Sequence, residues 1–157
     1  MNHDRSIAKS SGLPARYFYL IIIFFAGLTG FAQMPVFKRY YIADVPGLGW
    51  LAQFYTTHYL HYLAAILLIA FITYMVVVYF ALDRKGRKIT KSGYVRGIAL
   101  AGILVTGVLL VIRNLTGTRF SPGFIIFLDL THLGLVMTFL MVALYSLIFK
   151  KRWTCVR

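Results

Sequence analysis

The sequence predicts an all-α integral membrane protein, a four-helix bundle that forms one transmembrane domain over residues 1–157. Two observations about composition and length carry this prediction. The chain is 60% hydrophobic and only 13% charged, whereas soluble domains carry about a quarter charged residues. Four apolar segments also reach the roughly 20 residues that a helix needs to cross the hydrocarbon core. A third observation, the distribution of basic residues, indicates how the helices are oriented.

The four helices are predicted at about residues 17–34, 50–82, 97–112 and 123–149. The first helix ends at Pro35, because proline cannot continue a helix. Since Gln33-Met34-Pro35 is a poor signal-peptidase site, we expect this helix to remain uncleaved. The second segment is long enough to project beyond the bilayer. No internal repeat is evident from the sequence.

Basic residues lie mainly on one side of the predicted membrane. Thirteen of the 17 lysines and arginines precede helix one, separate helices two and three, or follow helix four. The remaining four fall on the other side: Lys38, Arg39, Arg113 and Arg119. The positive-inside rule therefore predicts that both termini are cytoplasmic. The net charge of +13 favours contact with anionic membrane lipid and not with nucleic acid.

Acidic residues and cysteine are scarce, which excludes several classes of site. The chain has no Glu, and its four carboxylates are widely spaced: Asp4, Asp44, Asp83 and Asp129. Such a set is unsuited to paired-carboxylate catalysis or an all-protein calcium site. The single Cys155 excludes an intramolecular disulfide and c-type haem attachment. What remains is a small integral membrane protein.

Three histidines lie inside predicted membrane helices, where ionisable residues are rare and usually functional. His58 and His61 are on helix two, and His132 is on helix four. Ten residues separate Leu51 from His61 and Pro122 from His132, which places both histidines about 15 Å below their helix starts. Two histidines at one level can ligate a single b-type haem iron from opposite faces. We therefore predict one haem b with His61 and His132 as axial ligands.

Other polar residues near these histidines are candidates for supporting roles. His58, one turn nearer the surface than His61, is an alternative iron ligand, a haem-propionate partner or a quinone contact. Asp129 either relays a proton to a quinone or pairs with Arg113, and pairing is favoured. Arg113 and Arg119, near helix ends, suit haem propionates, although arginines there also reach towards lipid headgroups.

Short motifs along the chain resemble those of a known family. Their order is Arg16-Tyr17-Phe18-Tyr19, Leu28-Thr29-Gly30, His61 with Ala65, Val105-Thr106-Gly107-Val108, and His132. This order resembles the four-helix cytochrome b membrane subunits of formate dehydrogenase (the gamma subunit), b-type hydrogenase cytochromes and thiosulfate reductase cytochrome b. Two-haem members of that family hold a second haem with a helix-one histidine and a second helix-four histidine. Tyr19 and Ser146 stand at those positions here, so the resemblance implies a one-haem variant.

The resemblance also implies a function and partners. It implies an electron-transfer subunit in a prokaryotic inner (cytoplasmic) membrane, crossing the membrane several times. Electrons would pass between an iron–sulfur subunit, itself attached to a catalytic subunit, and a quinone pool of menaquinone or ubiquinone. The loop 36–44 is the predicted docking surface for the iron–sulfur subunit. Two alternatives remain: a haem-free quinone-binding membrane anchor, and a small transporter or proton channel that uses Asp129 and His132.

Overall fold

The computed structural model describes residues 12–34, 44–83, 85–115, 117 and 119–156. Helices dominate these residues, which confirms the predicted all-α class. Four long helices are present: α1 (Gly12–Ala32), α2 (Phe54–Val78), α3 (Lys91–Arg113) and α4 (Pro122–Ile148). A 3-10 turn (Gly49–Ala52) precedes α2, and a π-helical turn (Tyr79–Asp83) extends it. Two short strands complete the elements, β1 (Arg87–Ile89) and β2 (Thr154–Val156).

All four helices are long and apolar enough to cross a membrane. The distribution of polarity agrees with this. Large apolar side chains such as Phe24, Ile66 and Leu130 are more than 60% exposed, while Thr29 and Thr106 are buried. Soluble proteins show the reverse distribution. Burial of small polar residues between helices is instead typical of membrane helix packing, so the chain has the character of a multi-pass membrane protein.

The chain divides after Val77 into two compact units. The first contains α1 and α2. Near one end of this hairpin, Phe71 of α2 contacts two aromatic rings of α1, with centroid distances of 5.7 Å to Phe18 and 5.9 Å to Tyr19. Towards the other end, the 3-10 turn contacts α1, and its Leu51 is only 1% exposed. The hairpin therefore has aromatic contacts near one end and a buried leucine near the other.

The second unit contains α3, α4 and the two strands. Gly102 allows α3 to lie close to α4, because a Cβ at this position would stand 2.9 Å from Cδ1 of Leu135. The helix starts are capped: the Thr90 hydroxyl accepts from the amide of Gly93, and Ser121 caps α4 in the same way. Such caps satisfy backbone N–H groups that have no partner within the helix.

The strands β1 and β2 form an antiparallel ladder that the sequence analysis did not predict. Arg87 pairs with Val156, Lys88 with Cys155, and Ile89 with Thr154. The ladder ties the segment after α4 to the segment before α3. It adds a small element to the predicted all-α fold.

Several predicted helix boundaries differ from those in the structure. Helix α3 starts at Lys91 and not at residue 97, because Thr90 supplies the cap and the polar first turn continues the helix. Helix α1 starts at Gly12, five residues before the predicted start. The predicted segment 50–82 divides into the 3-10 turn, α2 and the π-helical turn. The proposed docking loop, apart from Asp44, lies outside the described residues, as do Lys38 and Arg39.

Candidate functional site

His61 lies half-buried against α1, where it meets two oxygen atoms. Its Nδ1 is 3.0 Å from the carbonyl oxygen of Ala26 and 3.2 Å from the hydroxyl of Thr29. The hydroxyl itself donates to the carbonyl of Phe25, 2.6 Å away. A carbonyl oxygen only accepts, and the hydroxyl has already donated its proton. Both contacts therefore require a proton on Nδ1 of His61.

His132 is held in the same way in the other unit. Its Nδ1 is 2.8 Å from the hydroxyl of Thr106 on α3, and the backbone of Ile103 lies beside the ring. The hydroxyl donates to the carbonyl of Gly102 at 2.8 Å, so it accepts from the imidazole. As with the first histidine, the neutral ring carries its proton on Nδ1. The lone pair of such a ring is on Nε2, which is a common metal-ligating atom.

A glycine follows each of these threonines and lies next to the imidazole ring. A Cβ at Gly30 would stand 3.1 Å from Cε1 of His61, and a Cβ at Gly107 would stand 3.4 Å from Cε1 of His132. The first distance is too short for an unstrained contact, and the second is at its lower limit. Each glycine therefore lets an imidazole edge lie directly against the helix backbone.

The two units thus contain the same local arrangement at equivalent spacings. In each, the first helix supplies a backbone group beside the ring, a threonine three residues later and a glycine one residue after that, while the second helix supplies the histidine. We call these two arrangements the histidine cradles: Ala26, Thr29, Gly30 and His61 in one, and Ile103, Thr106, Gly107 and His132 in the other. This repetition was not recognised in the sequence. The two Thr-Gly pairs were visible there, but nothing linked each to a histidine in the following helix.

The sequence analysis counted the depths of His61 and His132 from the predicted starts of their helices. In the structure, one of these helices starts at a different residue. Helix α2 begins at Phe54 and not near Leu51, because residues 49–52 form a separate 3-10 turn. His61 consequently lies about two turns into its helix, and His132 lies almost three turns into α4. The similarity between the two histidines therefore rests on their cradles and not on equal distances from the helix starts.

His58 has different surroundings. Its Nδ1 is 2.9 Å from Oε1 of Gln33, which accepts the hydrogen bond. The ring stacks on Phe54 with a centroid distance of 5.3 Å and lies 4.3 Å from the ring of Tyr62. No threonine contact corresponding to those of the two cradles is recorded for His58 in the described part of the chain. The structure thus separates His58 from His61 by environment, although the sequence left both as alternatives for the iron ligand.

Asp129 and Arg113 form the ion pair that the sequence analysis favoured. The guanidinium of Arg113 donates to both carboxylate oxygens, at 3.3 and 3.2 Å. The two side chains are 29% and 52% exposed. Arg119, the other arginine suggested for propionates, is exposed just before α4. Of the predicted site residues, the structure therefore joins Arg113 with Asp129, whereas it records no contact of Arg119 with them.

The positions that hold a second haem in two-haem members of the resembling family have other partners here. Ser146 is buried and lies 2.9 Å from the hydroxyl of Ser92. Tyr19 of α1 packs on Phe71 of α2, and both of these residues belong to the first unit. Both residues therefore take part in helix contacts within their own units.

Within residues 12–34, 44–83, 85–115, 117 and 119–156, no group of three or more His, Cys, Asp or Glu side chains comes together to hold a metal ion. Comparison with family models, curated proteins and solved structures finds no match to this chain. The similarity to the cytochrome b subunits therefore remains a prediction from the sequence motifs.

Proposed function

We propose that this protein is the membrane-anchoring cytochrome b subunit of a respiratory oxidoreductase complex. It binds one haem b through His61 and His132 and transfers electrons between an iron–sulfur subunit and the quinone pool. The observation that carries this proposal is the presence of the same histidine cradle in two helix pairs. One cradle is compatible with a simple helix contact, whereas two equivalent cradles supply the two like ligands that a bis-histidine haem requires.

The chemistry of the cradles fits a haem iron. Histidines that ligate metals usually donate their second ring N–H to a carbonyl, carboxylate or water, which fixes the tautomer and raises the basicity of the ligating nitrogen. In both cradles a threonine hydroxyl accepts from Nδ1, and for His61 the carbonyl of Ala26 accepts as well. The lone pair needed for ligation is then on Nε2 of each ring. The residues present are therefore suitable ligands for a b-type haem.

The cradles also favour His61 over His58 as the ligand from α2. His61 shares three features with His132: the threonine, the neighbouring glycine and the Nδ1 proton. His58 is bound by a glutamine and stacked on Phe54. Two axial ligands of one haem need not have identical surroundings, but a repeated arrangement is explained most simply by a repeated role.

The proposed haem would supply one-electron redox chemistry, while the protein contributes ligands, orientation and an apolar environment. In this proposal Arg119 contacts a haem propionate, and Arg113 does so while paired with Asp129. The positive-inside rule orients the chain with both termini in the cytoplasm of a prokaryotic cell. The iron–sulfur subunit then docks on the opposite face, to which the same rule assigns the loop 36–44.

The quinone contact is assigned to His58 and its neighbours. Its bond to Gln33 places the proton on Nδ1, so Nε2 of the neutral ring is an acceptor for a hydroquinone O–H. Phe54 and Tyr62 provide apolar ring surface beside it. The same observation favours the second candidate function, a quinone-binding membrane anchor without haem, in which His61 and His132 only hold the helix pairs together.

A spectrum and a reduction assay separate these two functions. The full chain is purified in detergent from cells with adequate haem supply, and haem is quantified as the pyridine haemochrome. The proposal predicts about one b-type haem per chain, reducible by a menaquinol or ubiquinol analogue. A folded preparation that contains no haem but still binds the quinol analogue would contradict the proposed cytochrome function and would support the haem-free quinone-binding anchor.

A further inference from the structure

The unit formed by α3 and α4 contains a cavity that the proposed electron transfer does not use. It has a volume of about 570 Å³ and lies where α3 begins and α4 ends. Eight residues line it: Thr90, Lys91, Ser92, Val95, Val142, Tyr145, Lys151 and Arg152. In a membrane-spanning hairpin, this end lies near the lipid headgroups.

The lining combines positive charge with apolar surface. Lys91, Lys151 and Arg152 supply three cations, and no carboxylate lines the cavity. Val95 and Val142 form part of an apolar wall. A small inorganic anion would be attracted by the cations but would leave that wall uncovered. An amphiphile with an anionic head and a hydrocarbon tail would satisfy both parts.

The backbone around the cations is held in place. After α4, Lys150 takes a left-handed conformation with φ of 51°, and the amide of Lys151 then donates to the carbonyl of Ser146 at 2.8 Å. The hydroxyl of Thr90 donates to the carbonyl of Arg152 at 2.7 Å. The ladder of β1 with β2 continues this attachment. The basic segment therefore lies beside the first turn of α3 and does not extend away as a free tail.

We propose that this cavity is a binding site for an anionic phospholipid. The phosphate is held by Lys91, Lys151 and Arg152, and the first part of an acyl chain lies against Val95 and Val142. Clusters of lysine and arginine at the membrane surface attract anionic lipids in general. The cavity adds a defined place for one lipid, with a fixed backbone on one side and an apolar wall on the other. This inference is independent of haem binding.

The test compares two variants that lose the same charge. Lys91→Gln/Lys151→Gln removes two cations from the cavity, whereas Lys85→Gln/Lys88→Gln removes two exposed lysines from the same end of the unit, outside the cavity. Each full-length variant is placed in phosphatidylcholine nanodiscs, and binding of a fluorescent phosphatidylglycerol is titrated. We expect affinity to fall roughly tenfold in the cavity variant and to change less than twofold in the control. Equal losses in both variants would show diffuse attraction and overturn the proposal.

Two further measurements identify the occupant and guard against misfolding. Val142→Trp places a larger side chain in the apolar part of the cavity without changing its charge, so we expect it to weaken phosphatidylglycerol binding. Circular dichroism checks that the variant retains its helix content. Glycerol 3-phosphate has the headgroup chemistry without the acyl chains and should compete only weakly. Competition by glycerol 3-phosphate at the affinity of the lipid would contradict a lipid site and indicate a phosphate site.

Discussion

The two helix pairs share one arrangement in their interiors and differ outside it. In both, a threonine hydroxyl of the first helix binds Nδ1 of a histidine on the second helix. Three residues before that histidine, however, the α2 position is His58 bound to Gln33, whereas the α4 position is Asp129 bound to Arg113. One pair of side chains is neutral, and the other is ionic.

The difference indicates which features the proposed haem requires and which can vary. A feature needed twice for one purpose is expected in both units, and the cradles meet this expectation. A feature needed once, such as a quinone contact or a propionate partner, is expected on one side only. The neutral pair suits the quinone contact, and the ionic pair includes an arginine that suits a propionate. The comparison therefore separates the proposed ligands from the proposed supporting residues, and the predictions below test that separation.

The largest expected effect is loss of the haem when either cradle histidine is removed. His61→Ala and His132→Ala should each abolish the low-spin b-type spectrum, because a single axial imidazole cannot give bis-histidine ligation. His58→Ala should retain the spectrum and lower the rate of haem reduction by a quinol analogue. Absorption spectra and circular dichroism of the three purified variants measure haem and helix content together. An unchanged spectrum in His61→Ala would remove that residue from the ligand set.

A smaller effect is expected when a methyl group is added beside each imidazole. Gly30→Ala should lower haem content severalfold, and Gly107→Ala should lower it less, because the new Cβ would lie 3.1 Å from one ring and 3.4 Å from the other. Gly27→Ala and Gly97→Ala are matched controls on the same two helices, since a Cβ there meets nothing within 4 Å. Haem per chain from the pyridine haemochrome ranks the four variants. An equal loss of haem in the two control variants would show that haem content depends on helix glycines in general and not on the glycines of the cradles.

Removal of the threonine hydroxyls should lower the haem affinity and shift the haem midpoint potential, but it should not abolish haem binding. Thr29→Val leaves the carbonyl of Ala26 as an acceptor for His61, and Thr106→Val leaves the backbone of Ile103 beside His132. Loss of a hydrogen bond to a ligating histidine typically costs about 10- to 100-fold in metal affinity. We expect Thr106→Val to have the larger effect, because its contact is 2.8 Å against 3.2 Å for Thr29. The midpoint potential should move to more positive values, since a less basic imidazole stabilises ferric haem less well.

Thr138→Val is the control for the threonine series. Its hydroxyl donates to the carbonyl of Gly134 within α4, and no histidine contact of this hydroxyl is recorded among the described residues. Redox titration should give the wild-type potential for this variant. Serine at position 29 or 106 should restore most of the wild-type potential, because it keeps the hydroxyl. A valine variant with wild-type affinity and potential would contradict the role assigned to the threonines.

The smallest effect is expected at the ionic pair. Arg113→Gln or Asp129→Asn should destabilise the protein by about 1 kcal/mol or less, because partly exposed ion pairs contribute little. Thermal unfolding in detergent at low and high salt measures this contribution, which should shrink as salt is added. Haem content should fall less than in His132→Ala, because Arg113 is proposed to contact a propionate and not the iron. A loss of haem as large as that in His132→Ala would contradict the supporting role proposed for the pair.

Much of the fold follows from the sequence, because membrane-length apolar segments are long and strongly patterned. The exact helix starts did not follow, since α3 depends on the cap at Thr90 and α2 depends on a separate 3-10 turn. The β1–β2 ladder was also missed. Its strands are three residues each and lie far apart in the chain, so local patterns carry almost no signal for it.

The candidate site was predicted only in part. His61, His132 and the pair of Arg113 with Asp129 were singled out because charged or ionisable residues in a membrane are rare. Thr29 and Thr106 were part of short sequence motifs but were not predicted as site residues, because threonine is common in membrane helices and usually bonds its own backbone. Thr29 and Thr106 do this too. Their second contact, to a histidine on the following helix, depends on the packing of two helices and cannot be read from spacing within one.

The central claim is that one haem takes one ligand from each cradle. Near-infrared magnetic circular dichroism of the ferric full-length protein identifies axial ligands, and the pyridine haemochrome counts the haem in the same sample. The account predicts about one low-spin haem per chain with two imidazole ligands, and loss of this signature in both His61→Ala and His132→Ala. The claim would be contradicted if the folded wild-type protein, made with adequate haem supply, carried no haem. It would also be contradicted if the bis-imidazole signature survived the removal of either histidine.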